Sequence, residues 1–164
     1  MEHLWTPWRM PYLQGQEGRP DGCLFCIAPQ VDGAGAHILY RGKLCYAILN
    51  RYPYNNGHLM VVPFAHVAML EDLDEDTLGE LMALAQRSLR VLRKAYSPDG
   101  FNIGINIGEV AGAGIAGHIH LHIVPRWSGD NNYISTVGRT RVIPEWLEQT
   151  CDRLKPLFES SDTE

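Results

Sequence analysis

At 164 residues the chain has the size of one domain and is long enough to bury a core, with no requirement for a second. Its 14 basic and 19 acidic residues leave a formal charge of −5. Without a dense basic run, that balance argues against broad binding along a nucleic-acid backbone and leaves a small nucleotide open as a ligand.

The opening stretch MEHLWTPWRMPYL is interrupted by Glu2, Arg9 and two prolines, so it lacks the apolar segment of a signal peptide. No run approaches the ~20 apolar residues needed to cross a bilayer, and a cytoplasmic protein with no membrane partner is expected. Residues 1–22 carry Trp5, Trp8, Met10 and Tyr12, too apolar for a free tail, and read as an arm packed on the body or on a partner subunit. The four cysteines, two of them in CLFC, fit a reducing compartment with a metal or redox pair better than a disulfide framework.

After CLFCIA a Gly/Ala loop leads to HILYRG and LCYAILN, two strand-like runs that read as a hairpin, and HLMVVP is a third strand ended by Pro63. Asp74 is placed to cap a long helix, with Glu75 and Asp76 beside its positive end. Leu78, Leu81, Met82, Ala85, Leu89, Leu92 and Tyr96 recur at helical spacing, which predicts a helix to about Tyr96 stopped by SPDG. FNIGINIG alternates Phe101, Ile103, Ile105 and Ile107 as a fourth strand, and EVAGAGIAG is a loop. A last helix is expected from Pro144, with 159–164 as a flexible tail. Strands, a long helix and further strands predict an α+β domain over residues 1–158 with a mostly antiparallel sheet.

The chemistry concentrates in GHIHLHIVPRW. Of seven histidines in the chain, His118, His120 and His122 stand at every second position, so an extended strand would put all three on one face, roughly 6–7 Å apart. Ile119, Leu121 and Ile123 would face a core, and Pro125 would close the run. A neutral imidazole attacks phosphorus well near pH 7 once a neighbour fixes its tautomer. Gly112-Ala113-Gly114, just before the run, is small enough for backbone N–H groups to approach a phosphate. Cys23-x-x-Cys26 has ligand spacing for a tetrahedral metal, which needs two further donors, and the same spacing fits a redox pair. Outside these groups, His3 and His37 are expected in solvent, and Cys45 and Cys151 as buried free thiols.

The run from His118 to Val124 resembles the His-φ-His-φ-His-φ-φ signature of the histidine triad (HIT) superfamily of nucleotide hydrolases and transferases. AILNRYPYNNGHLMVVP is similar to the strand-turn-strand of its diadenosine-polyphosphate branch. CLFC with VPFAH is similar to the zinc site of many bacterial members, and LWTPWRMPYL with VPRWSGD resembles the bacterial-type diadenosine tetraphosphate phosphorylases. The likeness covers most of residues 5–146, in the family's order.

That resemblance implies a HIT-like α+β fold with a five-stranded, mostly antiparallel sheet, one long helix and a C-terminal helix. It makes His120 the nucleophile that forms a nucleotidyl-histidine, with His122 and His58 as phosphate-side partners. Asn50 matches the ribose-binding position and Asn106 a phosphate-side one. Leu24, Phe25 and Ile48 fall where members line the base pocket, and Trp127 would border the leaving-group end. Gly112 and Gly114 would bring backbone donors to the phosphates. His66 and His118 would complete a structural zinc site with Cys23 and Cys26, no organic cofactor is implied, and the family is homodimeric. Many family hydrolases carry Gly-Gln-Ser or Gly-Gln-Thr where this chain has Ala113-Gly114-Ile115. That departure favours inorganic phosphate over water as acceptor, hence a phosphorylase acting on diadenosine tetraphosphate. A hydrolase of dinucleoside polyphosphates or phosphoramidates and a non-catalytic nucleotide sensor stand as the alternatives.

Overall fold

The computed structural model describes residues 22–31, 37–130 and 143–160. The expected N-terminal arm therefore lies almost wholly outside the described residues, as does 161–164 of the expected tail.

Among the described residues three α-helices and one sheet make up the fold: α1 (Leu24–Ile27), β1 (Ile38–Arg41), β2 (Cys45–Leu49), β3 (Leu59–Pro63), α2 (Glu75–Tyr96), β4 (Gly100–Ile105), β5 (Leu121–Arg126) and α3 (Leu147–Ser160). The five strands run antiparallel in the order β1-β2-β3-β5-β4. The chain crosses from β3 through α2 to the far edge, and β5 returns between them. That insertion sets the histidine segment beside β3 at the centre of the sheet. Among the described residues no helix is long and apolar enough to cross a membrane.

The sheet separates two apolar layers, as the period of two requires. On one side Cys45, Ala47, Leu49, Leu59, Val61, Leu121 and Ile123 meet Leu81, Leu84, Ala85, Val91 and Leu92 of α2 and Leu154 and Phe158 of α3. On the other, Tyr46, Ile48, Met60 and Val62 meet Phe25 and Ala28. This smaller layer ties α1 to the sheet: the buried Tyr46 hydroxyl donates to the Phe25 carbonyl at 2.7 Å, and burial raises its pKa.

Helix α2 begins where its sequence says it should, for the Asp74 carboxylate accepts from the Thr77 N–H at 2.7 Å. It ends at Ser97, which turns left-handed. The apolar stripe is narrower than expected. Thr77, Leu81, Leu84, Ala85, Ser88, Val91 and Leu92 form the buried face, whereas Leu78 is 39% and Met82 50% exposed. At 100° per residue those two lie about 80° and 120° from the middle of the stripe. Two more boundaries shift: α3 continues through Glu159 and Ser160, expected in the tail, and His37 is half-buried with φ 50° where exposure was expected.

The histidine segment departs most from expectation. His118 and His120 precede the ladder, which starts at Leu121 and runs through Pro125 to Arg126. The Ile119 N–H leaves the strand pattern to donate to the Val67 carbonyl at 2.7 Å. Burial does not alternate along it: Ile119, Leu121 and Ile123 are buried, and so are His118, His120 and His122. Pro125 sits within the strand, opposite Phe101, and does not close it.

Candidate functional site

Two clusters share the histidine segment. The first joins Cys23 and Cys26, flanking the start of α1, to His66 after β3 and to His118. Their ligand atoms all lie within 4.8 Å of one another. His66 Nδ1 and His118 Nδ1 stand 3.3 Å apart, Cys23 Sγ and His118 Nδ1 3.3 Å, Cys26 Sγ and His66 Nδ1 3.3 Å, and Cys26 Sγ and His118 Nδ1 3.6 Å. Around one tetrahedral zinc at ordinary bond lengths, an N,N edge is about 3.3 Å and an N,S edge about 3.6 Å. The donor set and its spacing therefore fit a metal ion. His118 is also oriented for it: Nε2–H donates to the Pro63 carbonyl at 2.9 Å, leaving Nδ1 for the cluster. Among the described residues this is the one such group of His, Cys, Asp and Glu.

The second cluster is built on imidazoles whose tautomers follow from their partners. His120 is buried, and its Nδ1–H donates to the His118 carbonyl at 2.8 Å. The ring proton is thereby fixed on Nδ1 and the lone pair on Nε2. Burial holds His120 below its ordinary pKa, against the opposing effect of that hydrogen bond, so the ring is neutral near pH 7. Phe25 packs on it, ring centroids 4.8 Å apart, and also stands edge-on to His118 at 5.5 Å.

His122 lies edge-on to His120, with centroids 4.8 Å apart, between Met60 of β3 and Gly104 of β4. His58, 1% exposed, backs it from the turn before β3. The Tyr54 N–H donates to His58 Nδ1 at 3.0 Å, so the neutral His58 ring carries its proton on Nε2. That Nε2–H donates to His122 Nδ1 at 3.0 Å, which leaves the His122 proton on Nε2. A backbone amide thus sets the donor end of His122 through two rings. His58, expected on the phosphate side, is packed directly against His122 in the structure.

The remaining expected residues divide. Asn50 closes β2, its Oδ1 accepting from the Tyr52 N–H at 2.9 Å and its Nδ2 lying 3.4 Å from His58 Nε2. Ile48 shares the smaller apolar layer with Phe25, while Leu24 is 42% exposed at its rim. Asn106 follows β4 and is half-buried. Gly112 is used differently from the phosphate cradle expected of it. At φ 90° it closes a 3-10 turn, and its N–H donates to Glu109 O at 2.9 Å, so that donor is already committed. Gly114 stays exposed in the same loop. Trp127 follows β5, and its indole N–H donates to the Tyr96 carbonyl at 3.3 Å.

Three contributors escaped the sequence reading. Ile115 packs onto the smaller apolar layer. Tyr54 supplies its amide to His58 and stacks its ring on His122, centroids 5.9 Å apart. Glu145 gathers Tyr96, Thr150, Arg153 and Asn56. The YPYNNGH run could have suggested a turn that presents amides, but no local pattern points to Glu145.

Residues 33–129 match the HIT domain, more than half of the chain. The chain belongs to the HIT family. Members similar to it include the AP-4-A phosphorylase of Mycobacterium tuberculosis, 45% identical over 157 residues covering 92% of this chain and 80% of that one. The bis(5'-adenosyl)-triphosphatase of Dictyostelium discoideum is 30% identical over 133 residues, 77% of this chain and 88% of that one. Among solved structures, a Zn-bound histidine triad family protein from Mycobacterium smegmatis superposes with a TM-score of 0.69 at 31% identity, covering 86% of this chain and 96% of that one. The HIT-like α+β fold expected from the sequence is the one observed.

Proposed function

We propose that this HIT protein is an enzyme that transfers a nucleotidyl group from diadenosine polyphosphates, acting on diadenosine tetraphosphate as a phosphorylase. The observation that carries the reading is the buried, neutral His120, its proton tied to the His118 carbonyl and its Nε2 lone pair available beside His122.

His120 Nε2 attacks the α-phosphorus of one adenylate, the bond to the bridging oxygen breaks, and ATP leaves. The adenylyl-histidine then yields its group to inorganic phosphate: a new P–O bond forms, the P–N bond breaks, and ADP and free His120 result. Splitting one transfer into two lowers each barrier. His122 Nε2–H points hydrogen-bonding capacity at the charge that grows on the phosphoryl oxygens, and His58 keeps that proton in place. Phe25 and Ile48 offer an apolar wall for the base with Leu24 at its rim, Asn50 meets the ribose, and Asn106 and Gly114 lie on the phosphate side.

Zinc is the metal the Cys23, Cys26, His66 and His118 donors suit, two thiolates and two imidazoles in a closed tetrahedron. When bound it supplies a structural cross-link. It would anchor His118, whose carbonyl holds His120, to α1, which carries Phe25. The four free cysteines suit a reducing cytoplasm. A homodimer joined along β4 accounts for that strand, which pairs only with β5 among the described residues and leaves Ile103 47% exposed.

The test is incubation with diadenosine tetraphosphate, with and without inorganic phosphate, and identification of products. ATP plus ADP appearing only with phosphate supports the phosphorylase. AMP plus ATP without phosphate supports the hydrolase, the second reading favoured by the Dictyostelium relative. Binding with no turnover and no loss on His120→Ala would support a sensor.

A further inference from the structure

A half-buried carboxylate that lines a small cavity together with His58 has no part in the site so far. Glu145, in the segment before α3, collects donors from three parts of the fold. Its Oε2 accepts from the Tyr96 hydroxyl at the end of α2, from Thr150 Oγ1 on α3 at 2.9 Å and from Asn56 Nδ2 at 3.3 Å, and its Oε1 accepts from Arg153 at 2.9 Å. Of these donors, Asn56 belongs to neither helix. It sits in the turn between Tyr54 and His58, and its Oδ1 is buried with no hydrogen-bond partner among the described residues. A cavity of about 10 Å³ is lined by Asn56, Gly57, His58, Glu145 and Thr150, among others.

We infer that Glu145 is a positioning residue for the triad: through Asn56 it holds the 54–58 turn in the one shape that delivers the Tyr54 N–H to His58 Nδ1. The turn is otherwise fixed from the opposite side, where Asn55 Nδ2 donates to the Pro125 carbonyl and to Asp130. Asn56 is the link to the C-terminal segment. If the turn opens, His58 Nδ1 loses its amide, the ring is free to change tautomer, and His122 no longer has a fixed donor toward the substrate. Glu145 touches neither the imidazoles nor any reacting atom, so its effect must pass through the turn. The charged acceptor makes that link stronger than a neutral pair would. The inference rests on the proposed catalytic role of His122, but its structural half does not.

The experiment compares full-length wild type with Glu145→Gln, Asn56→Ala and, as a control for charge in the same segment, the exposed Glu148→Gln. Each is assayed for kcat and KM with diadenosine tetraphosphate and phosphate, and its histidine ring nitrogens are read by 15N NMR at a temperature where circular dichroism shows it folded. The expected result is a roughly tenfold fall in kcat with KM within about twofold for Glu145→Gln and Asn56→Ala, and no change for Glu148→Gln. In the same two variants the His58 Nδ1 resonance should leave the position of a lone-pair nitrogen for a tautomer-averaged one. A merely structural Glu145 would lower the melting temperature without moving that resonance. An unchanged His58 resonance in a folded variant overturns the inference, whatever kcat does. Should Glu145→Gln fail to fold, Asn56→Ala decides, because it leaves the Tyr96, Thr150 and Arg153 contacts in place. If wild type turns over no dinucleotide, the functional reading fails by itself and the NMR comparison still decides the role of Glu145.

Discussion

Replacing His58 with leucine keeps most of the volume of a side chain that is 1% exposed and removes its ring hydrogen bonds to Tyr54 and His122. The Tyr54 N–H and His122 Nδ1, each 3.0 Å from a His58 nitrogen, lose their partners together. A buried polar group left unsatisfied costs about 1–3 kcal/mol. The share at Tyr54 belongs to the folded state whether or not substrate is present, and for a chain of this size it lowers Tm by about 2–12 °C. The share at His122 is felt when that ring must donate to the transition state, and converts to a fall in kcat/KM of about 5- to 150-fold. Initial rates of diadenosine tetraphosphate phosphorolysis, beside thermal melts of the same preparations, separate the two. Since His58 acts only through His122, adding His58→Leu to His122→Asn should cost little more activity than His122→Asn alone. A folded His58→Leu protein with kcat/KM within twofold of wild type would refute the two-ring relay.

Denaturing mass spectrometry after mixing with substrate in the absence of phosphate should show an adduct of one adenylyl group on wild type and none on His120→Ala. Metal analysis should find about one zinc per chain, and chelation or Cys26→Ser should lower both the metal content and Tm, since binding energy at such a site is folding energy. Ile103→Lys should convert a dimer to monomers by sedimentation, as a charge on the exposed β4 edge opposes strand pairing. Acid should weaken the fold partly through Glu145. Burial raises the pKa of its carboxyl, but hydrogen bonds from Tyr96, Thr150, Arg153 and Asn56 prevail and hold it below the ordinary 4.5. The folded state then binds fewer protons than the unfolded one, so this stabilisation is complete above 4.5 and lost as pH falls through the lower folded value. Denaturant titrations of Glu145→Gln across that range should show a shallower pH dependence than wild type.

Much of the scaffold was written locally. Asp74 three residues before Thr77, the short apolar runs of β2 and β3, and the stop at SPDG are decisions made by neighbours in the chain, and each appears where the sequence put it. The family resemblance rested on motifs of the same local kind. Where local reasoning failed, a distant group had won a backbone or side-chain hydrogen bond. Ile119 gives its N–H to Val67, and the ladder starts at Leu121.

The sequence by itself determined which side chains alternate, where helices start and stop, and that two thiolates stand at ligand spacing, because each depends on backbone geometry over a few residues. Only the tertiary structure decided which imidazole carries its proton on which nitrogen. His58 meets His122 across 64 residues, His118 meets Cys23 across 95, and Asn56 reaches Glu145 across 89. A tautomer is chosen by whichever donor or acceptor packing brings within about 3 Å, and no pattern along the chain contains that distance.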